Sequence, residues 1–233
     1  MKEQLYLILN TVTLIAYYLP LAVVLLRRLH KDKPIILFAC YWSVGGTINL
    51  LGSTGVVSIS TFNFIRLVFN IIDTPFVFYV FLLNTNVSYL RRVLKTLIPV
   101  FLLVELANGI FRGFTDDSFK YLQGLGVFMV LGVLVAEIVA YFQKLDHTPR
   151  EKAMSFLFLA VLFEYAVYVY YYIYEYFIYA YLATGEERQD MNIIYYASSL
   201  IAIIIASIGF FSGALRKQPP QVQQPRAHET LIN

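Results

Sequence analysis

The sequence predicts an all-α protein, an integral membrane bundle of seven transmembrane helices, and three observations support this fold class. Hydrophobic residues make up 59% of the 233 residues. Charged residues make up only 14%, whereas a soluble domain carries about 25%. The apolar residues are also gathered into seven stretches, each near the ~20 residues that cross a bilayer. We therefore expect residues 1–215 to form one seven-helix domain whose main partner is the lipid bilayer.

The first three predicted helices are separated by a basic cluster and a short turn. The first covers residues 4–26. The second begins at Pro34, at the first helical position, where the missing N–H does no harm, and it reaches about residue 57. The third covers residues 62–85, and we expect Pro75 to kink it.

The other four helices are predicted at residues 94–111, 121–143, 151–182 and 191–215. The sixth has the clearest start, since Thr148 and Glu151 have the spacing of a capping box and Pro149 stands at the first helical position. Residues 216–233 are rich in Gln and Pro, and we expect them to form a disordered cytoplasmic tail.

The charges between the helices predict an orientation. Basic residues crowd the connections at one end of the bundle: Arg27, Arg28, Lys31, Lys33, Arg91, Arg92, Lys95, Lys144, Arg150, Lys152, Arg216 and Lys217. The other end has only Lys2, Arg112, Lys120 and Arg188. By the positive-inside rule the first end is cytoplasmic and the N-terminus is outside. We expect a multi-pass protein of the cell membrane, either a plasma membrane or a bacterial inner membrane.

The third predicted helix carries a polar face. Asn63, Arg66, Asn70 and Asp73 fall within about 80° of one another at 100° per residue. A charge deep in hydrocarbon costs about 3 kcal/mol unless it is paired or hydrated. We therefore expect this face to look into the protein rather than into lipid.

Three further helices carry matching polar groups. These are Glu105, Asn108 and Arg112 in the fourth helix, Glu164, Tyr168, Tyr171 and Glu175 in the sixth, and Tyr195 in the seventh. We expect the two arginines of these faces to pair with the carboxylates of Asp73, Glu105 or Glu175 in the outer half of the bundle. Two alternatives stay open: the arginines could extend to the lipid headgroups, or the charges could form a purely structural network.

Several function classes are disfavoured by what the sequence lacks. The net charge of +3 is small and scattered, so we expect no nucleic-acid partner. All three histidines fall outside the predicted helices, and Cys40 is the single cysteine, so we expect no metal site and no cofactor. No nucleotide-binding or nucleophile motif is present. Catalysis by carboxylates alone stays open, although an enzyme is the less favoured reading.

Two stretches of the chain resemble the microbial rhodopsins. Arg66 lies nine residues before Pro75, in a pattern similar to the third helix of that family, and Gly209-Phe210 precedes Arg216 as in its last helix. The resemblance implies a seven-helix fold with an outside N-terminus.

The chain departs from that family at two functional positions. The retinal-bearing lysine would fall near Ser207, yet the seventh predicted helix contains no lysine, and Phe69 stands where the family has its proton acceptor. A covalent retinal pigment is therefore excluded, and a lysine-less relative stays open.

The function that these observations favour is sensing or binding of a small molecule or ion in an outward-facing charged pocket. The first alternative is a small-solute or proton-coupled transporter, with Asp73, Glu105 and Glu164 as a relay. The second is a membrane scaffold subunit that binds a protein partner through residues 216–233, or the lysine-less rhodopsin-like protein.

Overall fold

The computed structural model describes residues 2–178, 185–212 and 215, and these residues are helical with no strand among them. Seven helices in this part of the chain are long and apolar enough to cross a membrane, which confirms the predicted number. They are α1 Lys2–Leu26, α2 Lys33–Thr54, α3 Ile59–Asn84, α4 Ser88–Arg112, α5 Asp116–Phe142, α6 Pro149–Ile178 and α7 Gly185–Phe211. The predicted tail 216–233, with the partner binding assigned to it, lies outside the described residues.

Two of the helices change geometry along their length. The first, α1, consists of two segments, Lys2–Ala16 and Leu19–Leu26, and Pro20 stands in the first turn of the second segment. Proline has no backbone N–H to donate within a helix, and this loss destabilises a helix least in its first turn. The sixth, α6, is α-helical over Pro149–Ile173 and ends in a π-helical turn, Tyr174–Ile178.

The helices α4 and α7 begin earlier than predicted. Helix α4 begins at Ser88 rather than at residue 94, and Arg91 and Arg92 lie exposed on its first turns. Helix α7 begins at Gly185 rather than at residue 191. Hydropathy detects only the apolar part of a helix, whereas charged residues are good helix formers that extend it into water.

Capping residues set the starts of α5 and α6. Helix α5 begins at Asp116 rather than at residue 121, because the Thr115 side chain accepts a hydrogen bond from the backbone N–H of Ser118. The capping box predicted for α6 is confirmed. The backbone N–H of Glu151 donates to the Thr148 hydroxyl at 3.2 Å, and the backbone N–H of Thr148 donates to the Glu151 carboxylate at 3.0 Å.

The seven helices form a closed ring in chain order. Each helix packs against the next, α7 packs against α1, and α3 also packs against α5. Glycines permit two of the close approaches: a Cβ at Gly126 would lie 2.6 Å from Thr74 Oγ1, and one at Gly209 would lie 2.8 Å from Leu157 Cδ2. The ring encloses one interior, into which polar faces of several helices can turn.

The contact between α1 and α7 joins two parallel neighbours. At one end of the bundle Lys2 Nζ lies 3.0 Å from Asp190 Oδ2. At the other end the Arg27 guanidinium lies over the ring of Phe211, 4.9 Å from its centroid. An odd number of helices in a closed ring requires one such parallel pair, and α1 with α7 is that pair.

Four phenylalanines from four helices fill the centre of the ring. Phe38 of α2 packs against Phe81 of α3, Phe158 of α6 and Phe210 of α7, with ring centroids 6.2, 6.0 and 6.2 Å away. We call these four residues the aromatic plug. All four are buried, and the exposed fractions of Phe38 and Phe210 are 1% and 0%.

The outer surface of the ring is apolar. Large hydrophobic side chains point away from the bundle along most of the helices, among them Leu7 at 63% exposure, Ile110 at 72% and Phe128 at 59%. A soluble monomer rarely exposes a continuous apolar surface of this kind. The surface is compatible with a multi-pass membrane protein.

Candidate functional site

A cavity of about 420 Å³ lies at one end of the bundle. Among the described residues, its walls come from the middle and C-terminal part of α2, the N-terminal and middle part of α3, the first turn of α5, the second half of α6, Tyr17 of α1 and Tyr195 of α7. The aromatic plug lies beyond it, toward the other end. The cavity is therefore a pocket with a floor rather than a continuous channel.

The floor of the cavity is formed by a tryptophan and a glutamate. Trp42 of α2 donates its indole N–H to Glu164 Oε2 of α6 at 2.9 Å. Both side chains are buried, with exposed fractions of 1% and 8%. Trp42 also stacks on Phe38, with the ring centroids 5.6 Å apart, so the floor rests directly on the aromatic plug.

The polar face of α3 forms one wall. Arg66, Asn70 and Asp73 all line the cavity, so these three residues face the protein interior, as predicted. The Tyr165 hydroxyl of α6 donates to Asp73 Oδ2 at 3.4 Å. Asn63, the fourth residue of the predicted face, is exposed and does not line the cavity.

An ion pair marks the mouth of the cavity. Arg66 pairs with Asp116, in the first turn of α5, and both side chains are partly exposed, at 43% and 36%. Asp116 is not among the three partners predicted for Arg66. The π-helical turn of α6 brings Glu175 and Tyr176 to the same rim, where the Tyr176 hydroxyl donates to Gln123 Oε1 at 3.1 Å.

Three tyrosines form the wall opposite α3. Tyr168 and Tyr171 of α6 and Tyr195 of α7 all line the cavity, and we call them the tyrosine cluster. Their ring centroids lie 4.9 Å apart for Tyr171 and Tyr195, 6.2 Å for Tyr168 and Tyr171, and 6.4 Å for Tyr168 and Tyr195. The Tyr17 hydroxyl of α1 lies 3.5 Å from the Tyr195 hydroxyl and extends the wall across to the first helix.

Three of the predicted site residues on α4 do not reach the cavity. Glu105 is buried at 1% exposure and lies within electrostatic range of Asp73, but it does not line the cavity. Asn108 donates to the Ser118 carbonyl at 2.9 Å and so ties α4 to the start of α5. Arg112 is exposed and makes no ion pair within the described residues. Helix α4 therefore supports the site from outside.

Sequence reasoning missed the contributions of α2 and α5. Tyr41 and Trp42 lie in an apolar run, so hydropathy gave no contrast between them and core residues. Asp116 lies between the fourth and fifth predicted helices, at residues 94–111 and 121–143. The Thr115–Ser118 spacing is the signal that could have placed Asp116 on a helix, since an N-cap threonine precedes it.

A second, smaller cleft of about 70 Å³ lies at the opposite end of the bundle. It is lined by Glu137 and Asn84 in its buried part and by the ion pair of Lys144 with Glu151, whose Nζ–Oε1 distance is 2.5 Å. Sites for small molecules usually enclose about 300 Å³ or more. A groove of about 570 Å³ between α1, α6 and α7 is wider, but it lies on the outer surface and is lined mainly by exposed apolar side chains such as Phe156, Ile208 and Phe211. Of the two cavities with polar linings, the larger is therefore the candidate site.

The larger cavity can hold a small molecule between carboxylates on α3 and α6 and aromatic rings on α6 and α7. No group of three His, Cys, Asp or Glu side chains that could hold a metal ion is found among the residues described. Compared with known proteins, the chain matches no family model, no curated protein and no solved structure.

Proposed function

We propose that this chain is a multi-pass protein of the cell membrane that binds a small molecule in the larger cavity and acts as a sensor. The apolar outer surface supports insertion in a bilayer. The basic residues gather at the end of the bundle opposite the mouth of the cavity, which supports a mouth that faces outward and an N-terminus outside.

The aromatic plug is the observation that favours a sensor over a transporter. A transporter must expose its site alternately to both sides of the membrane. Here four buried phenylalanine rings from α2, α3, α6 and α7 fill the path between the cavity floor and the other end of the bundle. A molecule bound above the plug contacts the same helices that hold the plug, so binding can change their arrangement without passage of the molecule.

Proton-coupled transport is a second candidate, and Glu105 favours it. Its Oε2 atom is buried and has no hydrogen-bond partner in the described part of the chain. Asp73 interacts electrostatically with both Glu105 and Glu164, so α3, α4 and α6 each contribute a carboxyl group to this part of the interior. A relay through these groups would require the aromatic plug to open.

The first experiment tests whether the cavity binds a small molecule. Trp42 is the only tryptophan of the chain and lies at the cavity floor, so its fluorescence reports on the cavity without a label. The purified full chain is titrated in detergent with choline, succinate and glucose, as a cation, an anion and a neutral solute. We expect at least one of them to change the fluorescence saturably and to raise the melting temperature, because a ligand that binds only the folded state stabilises it.

A pair of glycine variants provides the control. Gly45 lines the cavity and has open space where a Cβ would stand, so Gly45→Leu should fill part of the cavity and abolish the response. Gly132 of α5 also has open space but does not line the cavity, so Gly132→Leu should keep it. No response to any of the three solutes would contradict the proposal. Proteoliposomes would be assayed for flux of a solute or of protons. Flux that is present with the unmodified chain and lost with Asp73→Asn would favour the transporter over the sensor.

A further inference from the structure

We propose that the ligand of the larger cavity is an organic ammonium ion, bound against the tyrosine cluster with Asp73 and Glu164 as its counter-charges. This inference rests on the proposed function and names the class of molecule that the same cavity would take. Three properties of the lining lead to it: the sign of its charge, its cluster of aromatic residues, and the absence of a metal-ligand set among the described residues.

The lining carries more acids than bases. Its described residues include the carboxyl groups of Asp73, Asp116 and Glu164 and the guanidinium group of Arg66, so these four groups carry an excess of 3 − 1 = 2 negative charges when all are ionised. The one cation is already paired with Asp116 at the mouth. An anionic ligand would therefore meet an excess of like charge, whereas a cation would offset it.

The aromatic residues suit a cation with a dispersed charge. The faces of aromatic rings are electronegative and attract ammonium groups that lie within about 6 Å of the ring centroid. The tyrosine cluster supplies three rings from two helices, and the closest pair, Tyr171 and Tyr195, has centroids 4.9 Å apart. The hydroxyl of Tyr165 and the indole N–H of Trp42 already donate to the two inner carboxylates and hold them in place.

An inorganic cation fits this lining less well. Calcium and magnesium require about six or more oxygen ligands at short distance, and no set of three acidic, histidine or cysteine side chains in the described chain is arranged to provide them. The volume of about 420 Å³ also exceeds what a bare ion fills. A neutral polar molecule would fill the volume but would leave the excess negative charge without a partner.

The test compares two molecules of the same shape. Choline carries a quaternary ammonium group, and 3,3-dimethylbutan-1-ol replaces its nitrogen with carbon and is uncharged. Both are titrated into the purified full chain with Trp42 fluorescence and melting temperature as readouts. We expect choline to bind at least about tenfold more tightly than its neutral counterpart, because only choline gains from the carboxylates and the ring faces.

Variants of the lining locate the interaction. Asp73→Asn should weaken choline binding by about tenfold or more, whereas Glu137→Gln, which changes a buried acid outside this cavity, should leave it unchanged. If Asp73→Asn fails to fold, Tyr168 provides the second comparison. Tyr168→Phe keeps the ring face and should keep binding, and Tyr168→Leu removes the face and should weaken it.

The outcomes separate this inference from the proposed function. Equal binding of choline and 3,3-dimethylbutan-1-ol would overturn the cation assignment. So would binding of succinate or glucose without binding of choline, although the cavity would then remain a small-molecule site. Absence of any response from all four solutes would overturn both proposals together.

Discussion

A carboxyl group in the centre of an apolar bundle needs a hydrogen-bond donor, and here aromatic side chains supply it. Glu164 accepts from the indole N–H of Trp42, and Asp73 accepts from the hydroxyl of Tyr165. Tyrosine and tryptophan combine a large apolar body with one polar group, so they can fill the core and satisfy an acid at the same time. The interior thus keeps two acids without placing a basic residue beside them.

The Trp42–Glu164 hydrogen bond gives a prediction at the scale of single residues. We expect Trp42→Phe to lower the free energy of unfolding by about 1–3 kcal/mol, because it leaves a buried carboxylate without its donor. In a double-mutant cycle with Glu164→Leu, which removes both acceptor oxygens, we expect a coupling energy of about 0.6–1.7 kcal/mol. Circular dichroism during unfolding of the purified chain in mixed micelles measures both quantities.

A neighbouring variant controls for the general effect of aromatic substitution. Tyr79 of α3 is 44% exposed on the outer surface, so Tyr79→Phe should change the free energy of unfolding by less than about 0.5 kcal/mol. Strict additivity of Trp42→Phe and Glu164→Leu would show that the hydrogen bond contributes nothing measurable.

At the scale of elements, periodicity and hydropathy differed in what they could predict. The 3.6-residue period placed Arg66, Asn70 and Asp73 on one face of α3, and this face does line the cavity. It also predicted the cavity-facing residues of α6. The period gives the face on which a residue lies but not its depth along the helix. It therefore could not show that Asn63, near the start of α3, is exposed.

The site residues that were not predicted lie in stretches where the local sequence does not distinguish them from their neighbours. Trp42 lies in an apolar run of α2, and only its hydrogen bond to Glu164 on another helix reveals its role. Asp116 reaches Arg66 because α5 starts one turn before its apolar run. Pairing between helices depends on their rotation and packing, which a single sequence does not state.

Packing between α3 and α5 provides the second prediction. We expect Gly126→Ala to lower the free energy of unfolding by about 1–3 kcal/mol, because the new Cβ would lie 2.6 Å from Thr74 Oγ1 and 3.1 Å from the Phe101 ring. Gly132→Ala, on the same helix but with open space around the Cβ, should be neutral or stabilising by up to about 1 kcal/mol. The same unfolding assay compares them, and equal effects at the two glycines would contradict the close approach of α3 and α5.

At the scale of the whole molecule, the ring separates charge from apolar surface. Acids and tyrosines turn inward at one end, basic residues gather at the other, and hydrophobic side chains cover the outside. This arrangement supports the proposed orientation, because the positive-inside rule places the basic ends of membrane proteins on the cytoplasmic side.

The orientation gives the third prediction of the Discussion. In a chain with Cys40→Ser, we expect Asp117→Cys, in the first turn of α5, to react with a membrane-impermeant maleimide on intact cells. Asp146→Cys, between α5 and α6, should react only after the cells are permeabilised. Both aspartates are exposed, so accessibility within the protein does not limit either reaction. The opposite labelling pattern would reverse the orientation and place the cavity mouth in the cytoplasm.

The parallel pairing of α1 with α7 has a consequence for biogenesis. Lys2 and Asp190 meet across 188 residues of chain, so their helices cannot pair until the last helix has been made. Until then α1 has a neighbour only on its α2 side, and the wall that includes Tyr195 does not exist. The proposed binding site is therefore completed at the end of synthesis, and a ligand that binds there would favour closure of the ring.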